Sequence, residues 1–221
     1  MKKLYAIIAL GGITFNSFAT VPPVGQNTLS LRSGNDGEKC FDESTHIINF
    51  GVGFGSQAYH SIYTGLVGYD YGRTPAFSLS YEQPWPKKLG PGYLGVGAYF
   101  GFQHEHYNYD NTWYYNNTSY YYHHSWNYYM VAARAAYHWD VLNSKNAEVY
   151  AGVIIGVRFQ TEHYDTNDPG KNDPYTYNEA AAYPAYSVFA GARWYFVKKV
   201  ALFGEVGYGI SYVTGGLSFK F

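Results

Sequence analysis

Four histidines are the side chains whose type and spacing come nearest to a metal site. His104 and His106 precede a tyrosine-rich segment, and His123 and His124 follow it. If the segment forms a hairpin, a His-x-His pair opposite further histidines has the ligand chemistry of a zinc or copper site. The spacing matches no recognised metal signature, and polar residues at a solvated rim are the commoner explanation. We therefore expect no bound metal.

A second segment, residues 161–185, has a fainter likeness to a calcium loop, because oxygen-bearing side chains recur along it. Pro169 stands where such a loop needs a side-chain ligand, and Thr176 stands where a bidentate glutamate closes the site. Asp168-Pro169-Gly170 is instead typical of a turn. No calcium site is expected.

Catalytic groups are equally hard to find. Serine and histidine are neighbours near a predicted strand end in Tyr59-His60-Ser61 and in His123-His124-Ser125. Sequence neighbours rarely form the working geometry of a nucleophile and its base. The glycines alternate along the chain and do not form a phosphate-binding Gly-x-Gly-x-x-Gly motif. We predict no catalytic residue and no cofactor, so the protein is expected not to be an enzyme.

Composition narrows the class of protein. The 221 residues are 47% hydrophobic and 21% aromatic, and the formal charge is −1. This is too apolar for a disordered chain, and no basic field is present to attract nucleic acid. The single cysteine, Cys40, excludes an internal disulfide framework and leaves the role of its thiol unexplained. The sequence contains no run of 18 or more apolar residues, so it predicts no membrane-spanning helix.

The amino-terminal residues have the pattern of an export signal. Met1-Lys2-Lys3 is basic, Leu4 to Phe15 is mostly apolar, and Ser17-Phe18-Ala19 offers small residues before a cleavage point. We expect a cleaved signal peptide over residues 1–19. Residues 20–43 then read as a flexible periplasmic segment, because proline, glycine and Asn-Asp-Gly recur.

From residue 44 onward apolar residues alternate with glycine, serine and charged residues, which predicts β-strands. Eight strands are predicted, at 46–55, 76–82, 93–103, 128–139, 148–160, 187–196, 200–211 and 213–221. Long connections at 56–73, 105–127 and 161–185 alternate with short ones at 84–91, 140–147 and 197–199. This alternation is typical of a transmembrane barrel with short periplasmic turns and long external loops. The predicted fold is all-β: a closed antiparallel eight-stranded transmembrane up-and-down β-barrel over 44–221.

The charged residues indicate which face of each strand meets lipid. Every charge in the predicted strands lies on the glycine and serine face. These residues are Glu82, Arg134, Glu148, Arg158, Arg193, Glu205 and Lys220. A soluble barrel would turn that face to water, but water-facing strands rarely use so many glycines. A narrow lumen needs small residues beside its few large ones. The charges are therefore predicted to form a lumen network, either a salt-bridged plug or the lining of a narrow pore.

The segment around residues 105–129 is unusually rich in tyrosine and asparagine. Side chains of these types form binding surfaces that combine rigid contact area with adaptable hydrogen bonds. The candidate loop surface comprises Tyr107, Tyr109, Trp113, Tyr114, Tyr115, Tyr120, Tyr121 and Tyr122. Simple packing within the loop is the alternative interpretation.

The carboxyl-terminal residues carry a family resemblance. Val213, Leu217, Phe219 and Phe221 alternate and end on phenylalanine, after the run Leu202-Phe203-Gly204-Glu205-Val206-Gly207-Tyr208-Gly209. This hairpin resembles the closing hairpin of the small eight-stranded outer-membrane barrels, such as the OmpA and OmpX barrels. The resemblance implies that Leu217, Phe219 and Phe221 are an assembly signal for the barrel assembly machinery. Members of this family include anchors, adhesins, narrow channels and lipid-modifying enzymes, so the fold does not choose among them.

These observations together predict an exported protein of the cell outer membrane. Its expected partners are outer-membrane lipid, the barrel assembly machinery and an extracellular ligand or protein at the loops, with no nucleic acid. The favoured role is a non-enzymatic binding or envelope-structural barrel with a side-chain-filled lumen. The alternatives are a narrow channel for small solutes and a lipid-modifying outer-membrane enzyme.

Overall fold

The computed structural model describes residues 39–55, 69–115, 118–139, 142, 144–168 and 180–221. Within them the chain forms nine β-strands, which are β1 (Ile47–Phe54), β2 (Tyr69–Arg73), β3 (Ala76–Pro84), β4 (Gly92–Tyr115), β5 (Thr118–Trp139), β6 (Ala147–Thr166), β7 (Ala180–Val197), β8 (Val200–Tyr208) and β9 (Val213–Lys220). No helix among the described residues is long and apolar enough to cross a membrane. The expected signal peptide, residues 1–19, lies outside the described residues.

The strands close into a barrel. Each pairs antiparallel with its neighbours, β1 pairs with both β3 and β9, and β4 pairs with β5 to complete the ring. β2 and β3 pair with successive parts of β4, so together they occupy one of the eight strand positions of the barrel. Pro75 separates them because it has no N–H to donate to the ladder. The predicted closed, eight-stranded, antiparallel barrel is confirmed.

Several strands are longer than the sequence predicted. Residues 105–127 were expected to form a long loop, yet β4 and β5 remain paired from Glu105 opposite Trp126 to Asn111 opposite Tyr120. β6 likewise continues to Thr166, and β7 begins at Ala180, inside the expected loop 161–185. The prediction missed these extensions because tyrosine and asparagine were read as loop residues. Aromatic residues favour strands wherever they find cross-strand partners.

Apolar side chains face outward at each of the eight strand positions. Ile155 and Val188, for example, are each 64% exposed. We define the apolar belt by one exposed apolar residue from each strand position. The belt comprises Phe50, Leu79, Phe100, Val131, Ile155, Val188, Leu202 and Leu217. Facing the other way, Glu82, Arg134 and Arg193 are almost fully buried in the barrel interior.

Inward-facing glycines make this narrow barrel possible. A Cβ at Gly97 would lie 1.8 Å from the carbonyl oxygen of Tyr81, and one at Gly216 would lie 1.9 Å from that of Phe50. Neither strand could approach its neighbour so closely with a larger residue. Gly95 also leaves space for the lumen, because a Cβ there would lie 3.0 Å from Nε2 of His138.

Candidate functional site

A connected group of polar side chains crosses the barrel interior, and we call it the lumen cluster. Arg134 on β5 lies at its centre, with Nε 2.7 Å from Oε1 of Glu82 on β3 and Nη2 2.5 Å from Oε1 of Glu205 on β8. The side chains of Arg134 and Glu82 are buried, and that of Glu205 is nearly so. One guanidinium therefore joins strands that lie on different sides of the lumen.

Arg193 on β7 forms the second half of the cluster. It pairs with Glu148 on β6, and its Nε donates to Oγ of Ser218 on β9 at 3.0 Å. Nη2 lies 3.3 Å from Oδ1 of Asn49 on β1. Asn49 in turn donates to Glu82 at 3.2 Å, which links this half to the first.

His138 lies between two carboxylates. Its Nε2 is 3.0 Å from Oε2 of Glu82, and its Nδ1 is 3.3 Å from Oε2 of Glu148. An ionised carboxylate only accepts hydrogen bonds, so both ring nitrogens must carry hydrogen for both contacts to form. The resulting imidazolium, with two guanidinium groups, balances the three carboxylates of the cluster.

Aromatic rings complete the walls of the cluster. The guanidinium of Arg134 lies 4.0 Å from the ring centroid of Phe189, and that of Arg193 lies 4.8 Å from the centroid of Tyr150. The Tyr150 hydroxyl donates to Oε1 of Glu205 at 2.9 Å. Such cation–π contacts stabilise arginine where water is excluded.

The structure brings together five of the seven residues predicted for the lumen network and places two elsewhere. Glu82, Arg134, Glu148, Arg193 and Glu205 belong to the lumen cluster. Arg158 lies apart, with its guanidinium 5.8 Å and 5.9 Å from the ring centroids of Tyr128 and Tyr183. Lys220 donates instead to the carbonyl oxygen of Lys39 at 2.8 Å. Sequence reasoning also missed Asn49, His138, Tyr150 and Ser218, although strand parity alone would place all four on the inward face.

The lumen beside the cluster is nearly full. A cavity of about 30 Å³ lies next to it, lined by Tyr99, Met130, Phe189 and Glu205 among others. That volume accommodates about one water molecule. This cavity is therefore smaller than an organic solute.

Residues 39–43 block the end of the barrel where the short turns lie, which we call the turn end. The ring of Phe41 stacks on His138 with centroids 3.8 Å apart, and Cys40 is buried with its thiol 3.2 Å from the carbonyl oxygen of Ser144. These residues were expected to belong to a flexible segment, and residues 20–38 lie outside the described residues. Packing of Phe41 against the cluster is the physical reason for the difference.

Asp42 holds the entry to β1 in place. Burial raises the pKa of its carboxyl, but the backbone N–H of Ser44 and the hydroxyls of Ser44 and Thr45 outweigh burial and leave the pKa below its ordinary value. The Ser44 hydroxyl donates to Oδ1 at 2.9 Å, and the Thr45 hydroxyl donates to the same oxygen at 2.9 Å.

At the opposite end, strands continue beyond the apolar belt as a four-stranded outer sheet. We define the outer sheet as β2, residues 104–115 of β4, 118–127 of β5 and 161–166 of β6, which pair in that order. Side chains of residues 111–118 lie outside the described part, so Trp113, Tyr114 and Tyr115 are located only as residues of β4.

The two faces of the outer sheet differ in chemistry. The face that continues the lumen is aromatic: Tyr71, Tyr107, Tyr109, Tyr120, Tyr122, His124, Trp126 and Tyr164 share it by strand parity and register. The other face carries histidine and aspartate, with Nε2 of His106 3.8 Å from Asp70 and Nε2 of His123 3.6 Å from Asp110. Tyr121 belongs to this second face.

Contacts across the strands order the aromatic face. His124 pairs with Glu162 and stacks on Trp126, with ring centroids 4.1 Å apart. The hydroxyl of Tyr122 donates to Oδ2 of Asp168 at 2.7 Å. That hydrogen bond, with some burial and the charge of Asp168, raises the pKa of Tyr122 to about 12.

The histidines that suggested a metal site are arranged for other contacts. The ring centroids of His104 and His106 are 5.9 Å apart, and Nδ1 of His104 lies 2.8 Å from Oδ1 of Asn127. Within the described residues, no three histidine, cysteine, aspartate or glutamate side chains are grouped to hold a metal ion. Part of the calcium-like loop, residues 169–179, lies outside that description.

One of the two pairs of neighbouring serine and histidine residues lies in the described part of the chain, and its side chains are not close enough in direction to act together. His124 and Ser125 are successive residues of β5, so their side chains point to opposite faces of the sheet. Tyr59-His60-Ser61 lies outside the described residues.

The residues of the expected assembly signal lie on the outside of the barrel. Leu217 and Phe219 project outward from β9, and Phe221 follows that strand. β9 pairs with β1, so this strand closes the ring.

Comparison with known proteins finds similar solved structures but no similar sequence. No protein-family model matches the chain. No curated protein sequence matches it. The solved structure of Ail, the attachment invasion locus protein of Yersinia pestis, is 13% identical, with a TM-score of 0.42, and the match covers 81% of this chain and 100% of that one. A structure of Ail in complex with the heparin analogue sucrose octasulfate is 11% identical, with a TM-score of 0.41 and coverage of 80% and 97%. The described strands of this chain form a closed eight-stranded antiparallel barrel.

Proposed function

We propose that this protein is an integral outer-membrane barrel that binds an extracellular ligand or protein through the aromatic face of its outer sheet. One observation carries this proposal. The strands β4, β5 and β6 continue past the apolar belt as a paired, aromatic-rich sheet instead of ending in long loops.

The apolar belt supports insertion into a membrane. On β6 the outward side chains from Val149 to Phe159 are all apolar, and the next two outward residues are Thr161 and His163. Ten residue steps span about 33 Å along a strand, or about 25 Å across a membrane after a tilt of about 40°. This height matches the apolar band of outer-membrane barrels, so the turn end would face the periplasm and the outer sheet would face outside.

The lumen cluster favours a closed barrel over a channel. Its charged groups are paired across the interior, and the adjoining cavity holds about one water molecule. Phe41 covers the cluster from the turn end. We therefore expect the refolded protein to show no steady single-channel conductance in a planar bilayer, and a steady conductance altered by Arg158→Ala would favour the channel instead.

The outer sheet suits binding because its side chains are ordered before a partner arrives. Tyr122 contacts Asp168 after β6, and His124 contacts Glu162 on β6 and stacks on Trp126 of its own strand. Tyrosine and tryptophan bury large areas at low entropic cost, and prior ordering lowers that cost further. A flexible loop of the same composition would lose more freedom on binding.

Binding can be tested on whole cells that display the protein. We would measure attachment to a glycan array and to immobilised extracellular-matrix proteins, comparing the wild type with a Tyr107→Ala, Tyr109→Ala, Tyr122→Ala variant. The expected result is retention of at least one probe by the wild type and a loss of about tenfold or more in the variant, as for residues at the centre of an interface.

Tyr186→Ala is the matched control, because Tyr186 is an exposed tyrosine on β7 that lies outside the outer sheet. Surface display at wild-type levels must accompany each variant. If no probe binds, or if the control loses as much binding as the triple variant, the proposed binding face is wrong. Lipid A of unchanged mass in cells with and without the protein would support the absence of lipid-modifying activity.

A further inference from the structure

A basic cavity of about 360 Å³ opens at the turn end of the barrel. It lies between the β5–β6 connection and the β7–β8 turn, and four lysines line it: Lys39, Lys145, Lys198 and Lys220. No carboxylate is among its described lining residues. Nζ of Lys220 donates to the carbonyl oxygen of Lys39, and the like charges of the lysines around the cavity favour an anion there.

The hydroxyl of Tyr195 is a second, independent observation at this cavity. Its side chain lines the cavity and is only 4% exposed, yet its hydroxyl finds no acceptor among the described residues. Arg193 can only donate to this hydroxyl, and a buried hydroxyl that itself donates to no acceptor is costly. An acceptor oxygen in the cavity would satisfy it.

The cavity is also placed where lipid would reach it. Phe196 and Val197 belong to its lining, and both project with about half of their surface exposed. Trp194, on the same outward face of β7, is exposed as well and lies where barrels carry their interfacial aromatic residues. The lysines are therefore at the level of headgroups, and the apolar residues beside them are at the level of acyl chains.

Lysine is unevenly distributed along the described part of the barrel. Every lysine among the described residues lies at the turn end: Lys39, Lys87, Lys88, Lys145, Lys198, Lys199 and Lys220. The outer sheet carries the carboxylates Asp70, Asp110 and Glu162 and the arginine Arg73 but no described lysine, whereas the turn end also carries Asp42 and Glu43. This asymmetry matches a basic end that faces anionic phospholipid, since basic clusters at a membrane interface attract such headgroups.

We propose that this cavity, the lysine pocket, binds the phosphate of an anionic phospholipid in the periplasmic leaflet. Lys145 and Lys198 pair with phosphate oxygens, and the Tyr195 hydroxyl donates to one of them. Phe196 contacts the first methylenes of an acyl chain. The proposal extends beyond the outer sheet and rests only on the membrane placement. Free phosphate has the same headgroup chemistry, so the test must separate the two sources.

The test uses the full-length protein refolded into phosphatidylcholine vesicles that contain a small fraction of spin-labelled phosphatidylglycerol or spin-labelled phosphatidylcholine. Electron paramagnetic resonance then measures the motionally restricted fraction of each lipid. We expect preferential association of phosphatidylglycerol. The variant Lys145→Gln, Lys198→Gln should lower that preference by up to about twenty-five-fold, because each lysine near an anionic surface contributes about a fivefold effect.

Two further variants separate a built site from general surface charge. Lys87→Gln, Lys88→Gln removes the same charge from the turn end but outside the lysine pocket, and it should leave most of the preference intact. Tyr195→Phe changes no charge and should still weaken it. Equal association of the two lipids with the wild type, or an equal loss in both double variants, would overturn the proposal.

A competition arm identifies the source of the phosphate. Excess inorganic phosphate should not displace the restricted phosphatidylglycerol if the acyl chain contributes to binding. Displacement to the level of phosphatidylcholine would assign the pocket to soluble phosphate and overturn the lipid proposal. Folding of every variant is checked by its heat-modifiable mobility on a cold gel.

Discussion

The lumen cluster and the outer sheet contain similar side chains, but these side chains have different roles. In the cluster each arginine contacts at least one carboxylate, and nearly every polar atom is buried. In the outer sheet, His123 and Asp110 are exposed and 3.6 Å apart, and of the described pairs only that of Arg73 and Glu105, next to the lumen, has little exposure. Ion pairs that water screens contribute little to stability, whereas breaking a buried pair leaves an uncompensated charge. The cluster should therefore determine stability, and the outer sheet should be free to serve binding.

The largest expected effect comes from Arg134→Ala. Removing this side chain leaves Glu82 and Glu205 without their shared guanidinium, and we expect the free energy of unfolding to fall by about 3–5 kcal/mol. Urea unfolding in detergent micelles, followed by tryptophan fluorescence, measures the loss.

Arg158→Ala is the matched control for that substitution. Its guanidinium contacts aromatic rings and belongs to no carboxylate pair in the lumen cluster, so the expected loss is about 1 kcal/mol or less. Similar losses in the two variants would contradict the distinction between the cluster and the rest of the lumen.

A smaller effect is expected when the tip of the outer sheet is removed. His106 and Ser125 are directly opposite, so residues 107–124 can be replaced by Asn-Gly, the preferred two-residue hairpin turn. The barrel should assemble, with its free energy of unfolding changed by about 1 kcal/mol or less, since surface changes away from the core rarely exceed this. Failure to assemble would show that the outer sheet is part of the stable unit.

The smallest effect concerns one proton. The pKa of Tyr122 is raised to about 12 by its hydrogen bond to Asp168, so the neutral phenol is favoured in the folded state. The stabilisation is complete below the ordinary tyrosine pKa of about 10 and is lost as pH rises through about 12. Labelled-tyrosine NMR should show the Tyr122 signal titrating above most others.

Asp168→Asn provides the comparison, because the amide keeps the size of the side chain but removes its charge. In this variant the pKa of Tyr122 should move toward the ordinary value. An unchanged titration would mean that Asp168 does not hold the tyrosine, and the ordered state of the aromatic face would then need another cause.

The alternation of inward and outward residues along each strand predicted more of the lumen cluster than the spacing of the histidine and acidic motifs did. Glu82 and Arg134 were assigned to the interior from alternation alone, and both are buried there. His138 lies on the same face of β5 as Arg134 but was considered only as a polar residue of the alternation. Its contact with two carboxylates requires the curvature of the barrel, which brings β3 and β6 to either side of it.

The length of the strands was less predictable. The sequence predicts loops at Tyr107 and Tyr122, although tyrosine and asparagine suit both loops and strands. Pairing decides between the two, and the pairing of β4 with β5 depends on a long register in which Tyr107 lies opposite His124. That register is a property of two segments together.

The sequence by itself determined the class of the fold and which face of each strand turns inward, because alternation with period two is a local property of an extended chain. Tertiary structure decided which inward groups meet. Arg134 and Glu205 are 71 residues apart, and their contact exists only because closure of the barrel brings β5 and β8 across one lumen. The stagger of the strands sets the height of each side chain in that lumen, so Arg193 reaches Glu148 while Arg158 lies apart from the cluster.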